Sequence, residues 1–347
     1  MSAMGDIIHS LPAVAALRQA YPNAVIGWAV EDRWLELLSA RAALQDAQGS
    51  ARRPLVDVIH KVNTRAWRNA PFSSATWTNV REVVRELRRG EYQLAVDMQA
   101  AIRSALLAKF SGARQRVGFA RPREGPAKLF YTKIISTSAV HVVDQGLQLA
   151  QAITGKEIAP AEFPLPRDPE AEAWCDTQLE RLRVTDFVIM SPGAGWGAKC
   201  WPAERYGEVA RRLKQEGLAV LVNAGPGEEE LAERLLESSR AAAQKLSCSL
   251  AQLIALTRRA QLFIGGDTGP VHLAAALSIP VVAIYGPTNP VRNGPFGPGG
   301  TNAIIKVLRS TESRTSHARH KNPEEGLLQI TTSQVEAAAL SLLRASQ

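Results

Sequence analysis

Residues 262–272 of the 347-residue chain read LFIGGDTGPVH, and this stretch decides the fold class. The apolar run over 262–264 has the length of a buried strand, whereas residues 271–277 repeat with a helical period. The glycine-containing loop between them joins the strand directly to the helix. Because a strand followed closely by a helix is the building unit of a parallel sheet, the stretch predicts an α/β protein.

The same alternation extends along the chain in both directions. It predicts strands over 24–30, 56–60, 94–98 and 116–119 in the first half and over 187–191, 218–223, 281–285 and 303–307 in the second. Four prolines between residues 160 and 169 interrupt the pattern and are typical of a linker. We therefore expect one domain over 1–160, a second over 161–330, and a C-terminal helix over 331–347 that packs back on the first domain.

The composition excludes several classes of protein. Hydrophobic residues make up 46% of the chain and charged residues 21%, with a mean hydropathy of -0.11, so apolar cores are expected. No apolar run approaches the roughly 20 residues of a membrane-spanning helix. Asp6 and His9 interrupt the segment where a secretory signal would be continuous. The three scattered cysteines predict free thiols in the cytoplasm and neither disulfides nor a zinc site.

The excess positive charge is confined to the first half of the chain. The net charge is +8, and residues 1–160 carry 21 Lys and Arg against 13 Asp and Glu, whereas residues 161–347 carry 20 of each. Between residues 103 and 133, eight basic residues accompany a single acidic one, Glu124. Such a surface predicts an anionic partner, although a solvated basic face without a ligand fits the same counts. No nucleic-acid-binding signature accompanies the charge, so nucleic acid is not expected.

Residues 191–202, SPGAGWGAKCWP, follow a predicted strand and precede a predicted helix. Flexible glycine backbone beside Lys199 and a helix N-terminus is suited to binding an anion. The loop disagrees with a dinucleotide-binding fingerprint because residues 199–202 separate its glycines from the helix. Ala198 and Cys200 stand where a Walker loop needs a glycine and a hydroxyl residue. The loop therefore predicts an anion site that matches neither motif.

Two further loops at strand ends carry candidate ligand-binding residues. In GDTGPVH, over 266–272, the first-turn amides and the Thr268 hydroxyl are suited to a phosphate. Asp267 is equally compatible with a helix cap, and His272 with a packed core residue. In NAGPGEEE, over 223–230, Glu228 is placed to bind ribose hydroxyls or only to stabilise a helix N-terminus.

The N-terminal residues 4–12, MGDIIHSLP, place a carboxylate at the start of an apolar helical stretch. A carboxylate in such a position is a candidate general base, and Asp6 is the residue that provides it. A role as the N-cap of the helix is the alternative.

Four ordered motifs together resemble glycosyltransferase family 9, the ADP-heptose:lipopolysaccharide heptosyltransferases. The motifs are MGDIIHSLP at 4–12, VDMQ at 96–99, PGAGWGAKCWP at 192–202, and GDTG at 266–269 with His272. Together they cover essentially the whole chain. The segments over 64–73 and 123–131 are most similar to heptosyltransferase I, which acts on Kdo-lipid A. The glycine-rich lysine loop is similar to heptosyltransferase II as well.

The resemblance implies a GT-B fold, in which two Rossmann-like doubly wound domains face a cleft. The acceptor would bind the first domain and ADP-heptose, the donor, the second. Family members usually begin with a hydrophobic strand before the Met-Gly-Asp loop, so the first strand of the N-terminal domain is expected to be missing. The implied reaction is an inverting heptose transfer that needs no metal and no cofactor. The implied setting is the cytoplasmic face of the inner membrane, where the protein would be peripheral and is expected to be a monomer.

The resemblance also assigns roles to individual residues. Asp6 would be the general base, and Lys199 would stabilise the leaving diphosphate. The expected donor-binding residues are Gly193, Lys199, Glu228, Cys248, Asp267, Thr268, Gly269 and His272. The expected acceptor-binding residues are Gly5, Arg65, Arg68, Arg123 and Lys128.

Other functions stay open on the sequence. A heptosyltransferase II or another family 9 transferase would share these motifs. A nucleotide-sugar epimerase or hydrolase of the same fold would not need the basic first half. A non-catalytic nucleotide-sugar-binding module is compatible with the missing strand.

Overall fold

The computed structural model describes residues 3–40, 50–157, 159–301, 304–316 and 320–345. The chain divides into two compact units, Met1–Pro166 and Arg167–Gln347. In the described residues, every pair of neighbouring strands in the named sheets is parallel. Parallel strands require crossover connections, and helices supply most of them here.

In its described residues, the first unit contains two small parallel sheets. Its elements are α1 (Met4–Ala20), β1 (Gly27–Glu31), β2 (Val58–Val62), α2 (Thr64–Asn69), α3 (Ser74–Arg89), β3 (Leu94–Val96), α4 (Ile102–Phe110), β4 (Gln115–Phe119), β5 (Lys133–Ile135) and α5 (Val142–Thr154). Short 3-10 helices cover Asp32–Leu37 and Gly125–Phe130. β1 pairs with β2, and β4 lies between β3 and β5.

The helices of the first unit contact one another in two groups. α1 packs on α5 through small buried residues that include Ala13 and Ala150. α3 contacts α4, and α4 contacts the 3-10 helix Gly125–Phe130. α3 buries Val83 and Leu87 and exposes most of its arginines. Trp67 of α2 packs on the buried face that α3 and α4 share. We call residues 64–133, which contain these helices together with β3 and β4, the α3–α4 layer.

The second unit contains one six-stranded parallel sheet. Its elements are α6 (Pro169–Leu182), β6 (Phe187–Ser191), α7 (Ala203–Gln215), β7 (Ala219–Val222), α8 (Glu229–Ser239), β8 (Ala243–Lys245), α9 (Leu250–Thr257), β9 (Leu262–Gly266), α10 (Gly269–Ala276), β10 (Val281–Tyr285), α11 (Pro290–Asn293), β11 (Ile305–Arg309), α12 (Glu325–Leu328) and α13 (Thr332–Ala345). The strand order is β11-β10-β9-β6-β7-β8.

The central strands of the second unit are buried on both faces. Along β6, Val188 and Met190 join one apolar cluster, whereas Phe187 and Ile189 join another. Successive side chains of a strand point to opposite faces, so two clusters on one strand mean that helices cover both sides of the sheet. This is the doubly wound arrangement expected from continuous apolar runs.

The structure confirms the predicted α/β class and the parallel sheets. The strands predicted over 187–191 and 281–285 coincide with β6 and β10. Of the strand predicted over 303–307, residue 303 lies outside the described residues, and β11 runs from Ile305 to Arg309. None of the described helices combines the length and apolar character that spanning a membrane requires.

The C-terminal helix contributes to the core of the second unit. α13 buries Val335, Ala339 and Leu342 in the apolar cluster that includes β6 and α7. An amphipathic pattern shows that one face of a helix is buried, but it carries no information on which surface covers that face.

Candidate functional site

Two loops of the second unit meet because they follow neighbouring strands. β6 and β9 pair in parallel and end at the same edge of the sheet. The loop after β6 contains a short 3-10 helix, Gly197–Lys199, and the loop after β9 leads to Thr268, the N-cap of α10. Gly266 keeps the loops close together, since a Cβ atom on it would lie 3.3 Å from the Lys199 carbonyl oxygen. Residues far apart in sequence are therefore neighbours at this edge.

Lys199 and Asp267 form a largely buried ion pair at this edge, and each side chain is 11% exposed. The Thr288 hydroxyl donates to the same carboxylate oxygen at 2.8 Å. His272 Nε2 lies 3.6 Å from the other oxygen of Asp267. The Lys199 ammonium also lies 4.1 Å from the centroid of the Trp196 ring, at cation–π distance. The structure thus brings three predicted site residues together and adds contacts from Trp196 and Thr288, to which the sequence assigned no individual role.

Asp267 is ionised by its surroundings and is not a helix cap. Burial alone would raise the pKa of its carboxyl group, but His272 and the Lys199 ammonium outweigh burial and hold that pKa well below its usual range. Tyr285 is fully buried, and burial together with the negative charge of Asp267 raises the pKa of its phenol. Asp267 therefore carries its full negative charge at neutral pH.

The N-terminus of α10 lies beside this ion pair. Thr268 precedes the helix, and its hydroxyl donates to the Gly266 carbonyl oxygen at 3.3 Å. Gly269 is the first helical residue and Pro270 follows it. The first amides of a helix have no partner within the helix, so they and the helix dipole favour an anion. Lys199 and this helix end place two sources of positive potential at one edge of the sheet.

Glu228 occupies a second position at the same edge, after β7. Its carboxylate accepts a hydrogen bond from the Gly225 amide at 2.8 Å. Burial and the neighbouring Glu229 raise the pKa of Glu228 above its usual value, against the Gly225 hydrogen bond. The Glu228 carboxylate lies against Gly193, where any Cβ atom would overlap it. Residue 193 therefore has to be a glycine for the Glu228 carboxylate to lie where it does.

Cys248, in the loop between β8 and α9, contacts Asn223 at the end of β7, the strand that Glu228 follows. Its Sγ is 3.4 Å from Asn223 Oδ1, and the side-chain nitrogen Nδ2 of Asn223 donates to Ser191 Oγ at 3.2 Å. Burial raises the pKa of the Cys248 thiol to about 12, so the thiol stays protonated. Cys200, in contrast, directs its Sγ toward the Trp196 carbonyl oxygen at 3.7 Å.

Asp6 lies in the first turn of α1, which begins at Met4. Gly5 is buried, whereas the Asp6 side chain is 46% exposed. The Ala3 amide donates to the Asp6 carboxylate at 3.4 Å, so Asp6 is the third helical residue and not the N-cap. Arg123 Nη1 lies 4.0 Å from the same carboxylate. The structure therefore brings one predicted acceptor arginine to the predicted base.

The four predicted acceptor side chains are exposed on two segments of the α3–α4 layer. Arg65 and Arg68 lie on α2, and Arg123 and Lys128 lie around the 3-10 helix Gly125–Phe130. All four are solvent-exposed in the first unit. Their exposure leaves the guanidinium and ammonium groups available for phosphate or carboxylate oxygens.

A carboxylate holds each of these segments, a role for which no sequence pattern was recognised; Glu31 is buried and Glu124 is partly buried. Glu31, at the end of β1, accepts hydrogen bonds from the Thr64 amide and hydroxyl at the start of α2. Glu124 accepts from the Ile102 amide at the start of α4, at 2.8 Å. These carboxylates accept hydrogen bonds from amides at helix starts that have no partner within the helix. They therefore fix the positions of the segments that carry the acceptor arginines.

Asp97 fixes the loop between β3 and α4. Its buried carboxylate accepts hydrogen bonds from the Tyr131 and Ser104 hydroxyls at 2.7 and 2.8 Å and from two loop amides. Burial, the largest influence, raises the pKa of Asp97 despite these hydrogen bonds. Ala100 has a φ of 56°, in the left-handed region, and its carbonyl oxygen accepts from the Glu124 amide. The network therefore stabilises a strained turn beside Arg123.

In the described ranges, no group of three or more His, Cys, Asp and Glu residues is arranged to hold a metal ion. Lys199 and the start of α10 supply positive potential at the second-unit edge. This edge can bind an anion, and the exposed carboxylate of Asp6 can accept a proton.

Three comparisons with known proteins agree with these features. The sequence profile of glycosyltransferase family 9 (heptosyltransferase) matches residues 80–327. The chain is 30% identical to lipopolysaccharide heptosyltransferase 1 of Pseudomonas aeruginosa, over 85% of this chain and 79% of that protein. Its fold is similar to that of E. coli heptosyltransferase WaaC solved with ADP-2-deoxy-2-fluoro heptose, with a TM-score of 0.75, 25% identity and coverage of 97% and 96%. E. coli ADP-heptose lps heptosyltransferase II matches in fold, with a TM-score of 0.77, 22% identity and coverage of 100% and 97%.

Proposed function

This chain belongs to glycosyltransferase family 9, and we propose that it transfers a heptose from ADP-heptose to the Kdo-lipid A inner core during lipopolysaccharide synthesis. The single observation that carries the donor half is the Lys199–Asp267 pair beside the N-terminus of α10. The relative solved with an ADP-heptose analogue supports the same donor class. The likeness to a heptosyltransferase 1 favours type I over type II.

The donor would bind along the carboxyl edge of the second-unit sheet. We assign its diphosphate to Lys199, to the Thr268 hydroxyl and to the amides from Gly269 onward. Glu228 would accept hydrogen bonds from the ribose hydroxyls. Asp267 and His272 would shape the heptose and diphosphate region, and Gly193 and Cys248 would line the nucleotide. This assignment supplies positive charge where the leaving diphosphate accumulates negative charge.

The acceptor would bind the first unit. Arg65, Arg68, Arg123 and Lys128 are suited to its carboxylates and phosphates. Its hydroxyl oxygen would form a bond to the anomeric carbon of the heptose while the bond from that carbon to the diphosphate oxygen breaks. ADP leaves with the electron pair, and the hydroxyl proton passes to the Asp6 carboxylate. Attack opposite to the leaving group inverts the configuration at the anomeric carbon.

We further assign the enzyme to the cytoplasmic face of the inner membrane as a peripheral monomer. The basic surplus of the first unit and the lipid-linked acceptor support this assignment. Lipid headgroups that carry negative charge attract Lys and Arg side chains within about 8 Å at physiological salt.

One assay tests the reaction against its alternatives. The purified protein is incubated with ADP-heptose and a Kdo-lipid A acceptor, and both ADP release and glycosylated acceptor are quantified by mass spectrometry. Stoichiometric ADP and heptosylated acceptor are expected. Hydrolysis of ADP-heptose without transfer would identify a hydrolase. Loss or change of the sugar configuration would identify an epimerase, and binding without turnover would identify a non-catalytic module. A preference for an acceptor that already carries one heptose would identify the type II reaction.

Gly193→Ala tests the donor assignment directly. The new Cβ atom would displace the Glu228 carboxylate, so the affinity for ADP should fall about tenfold, equivalent to about 1.4 kcal/mol. Gly195→Ala, in the same loop, is the matched control because a Cβ atom there has no neighbour within 4 Å. Titration calorimetry gives both dissociation constants. Equal ADP affinities for the two variants would remove Glu228 from the donor site.

A further inference from the structure

The two most exposed large apolar side chains of the described residues both lie in the α3–α4 layer. Phe72 is 92% exposed and Leu129 is 82% exposed, whereas the next on the chain, Val291, is 65% exposed. Phe72 lies three residues after the end of α2, and Leu129 belongs to the 3-10 helix Gly125–Phe130. Each therefore lies within a few residues of a pair of proposed acceptor-binding cations.

Single exposed apolar residues are ordinary on a protein surface, but their surroundings set these two apart. Residues 64–133 carry 14 Lys and Arg against five Asp and Glu. Two aromatic side chains of the same layer are also substantially exposed, Trp77 at 53% and Phe110 at 42%. A cationic surface that also presents apolar and aromatic side chains has the composition of a surface that lies at a membrane interface.

We propose that the α3–α4 layer docks on a bilayer that contains anionic lipid, with Phe72 and Leu129 inserted between the headgroups. The proposal rests on the proposed function, because the lipid-linked acceptor lies in such a bilayer. Charge complementarity selects a bilayer as the occupant, since the surrounding guanidinium and ammonium groups contact headgroup phosphates while the two apolar side chains reach the acyl boundary.

The two contributions differ in their response to salt. Attraction between exposed cations and headgroups is screened as ionic strength rises, whereas burial of apolar surface is not. Membrane binding that persists at high salt therefore depends on Phe72 and Leu129. A surface that acts through charge alone loses its binding under the same conditions.

The test measures co-sedimentation with vesicles of phosphatidylethanolamine and phosphatidylglycerol that contain no acceptor. The double variant Phe72→Ser/Leu129→Ser is compared with Val25→Ser/Val291→Ser, which removes two apolar side chains of 61% and 65% exposure outside the layer. We expect the first variant to bind vesicles about tenfold or more weakly than the parent protein, at low and at high salt. The control variant should bind like the parent protein. Phe72→Leu/Leu129→Phe, which keeps the apolar character, should also bind like the parent, so that the loss follows from the missing apolar character and not from the substitution of these positions.

Other results overturn the proposal. Equal vesicle binding by the serine variant and its control would overturn it. So would a serine variant that binds vesicles like the parent but no longer self-associates in sedimentation equilibrium, because a second copy of the chain would then be the partner.

Transfer to a water-soluble Kdo acceptor without acyl chains separates docking from catalysis. The serine variant should keep that activity within about twofold. If the parent protein transfers no heptose, the proposed function fails while the vesicle result still decides the docking surface.

Discussion

Asp6→Asn is expected to lower the turnover number for heptose transfer by about two to four orders of magnitude, the usual contribution of a general base. The amide is isosteric with the carboxylate and can still accept the Ala3 hydrogen bond, but it cannot accept the hydroxyl proton. The affinity for ADP-heptose should change by less than about twofold, because the donor is assigned to the other unit. Initial rates and titration calorimetry measure the two quantities.

The first unit provides a matched control for this variant. Asp144 is the third residue of α5, as Asp6 is of α1, and the two helices pack together. Asp144→Asn removes a negative charge at the same helical position, so it reproduces any loss of helix-dipole stabilisation. Its turnover should stay within about twofold of the parent protein. A turnover close to the parent value in Asp6→Asn would exclude Asp6 as the base.

The second unit was largely predictable because its strands are buried on both faces. Continuous apolar runs such as those of β6 and β10 have a strand length and end in glycine-containing loops, so both type and position follow from the pattern. β8 was not predicted. It has three residues, two of them exposed, at the edge of the sheet, and such a segment has no apolar run to recognise.

The sequence predicted which residues belong to the site but not which of them contact one another. Both Lys199 and Asp267 lie in loops after strands, which is where ligands of doubly wound sheets bind. Their pairing depends on β6 and β9 being neighbours, and strand order is a property of the whole sheet that no local pattern contains. For the same reason the sequence did not indicate that Glu228 lies against Gly193.

The supporting roles of three first-unit carboxylates were missed for a different reason, although Asp97 belongs to the VDMQ motif over 96–99. Glu31, Asp97 and Glu124 act by accepting hydrogen bonds from backbone amides at loop and helix starts. A buried carboxylate and an exposed one look identical in a sequence, and only the packing around them separates the two. The acceptor arginines could be found from their charge, whereas the residues that hold their segments could not.

Lys199→Met is expected to lower the free energy of unfolding at pH 7 by about 3–5 kcal/mol, because it leaves the buried Asp267 carboxylate without its cation. The pKa of Asp267 is depressed in the folded protein. Asp267 therefore contributes fully to stability above about pH 3.9, the pKa of an Asp side chain in the unfolded chain. The contribution is lost as the pH falls from there through the lower pKa that Asp267 has in the folded protein. The difference between parent and variant should be largest at neutral pH and shrink below about pH 4. Urea unfolding across that range measures it.

A second substitution separates this structural role from the proposed binding of diphosphate. Lys199→Met/Asp267→Asn removes both charges and should recover at least about half of the lost stability, since no uncompensated carboxylate is left. If Lys199 binds the diphosphate, this double variant should still bind ADP at least about tenfold more weakly than the parent protein, while adenosine affinity changes by less than about twofold. Parallel losses for ADP and adenosine would indicate a distorted site. If the parent affinity for ADP returned together with stability, Lys199 would serve only to neutralise Asp267, and the diphosphate charge would have to be met by the α10 amides.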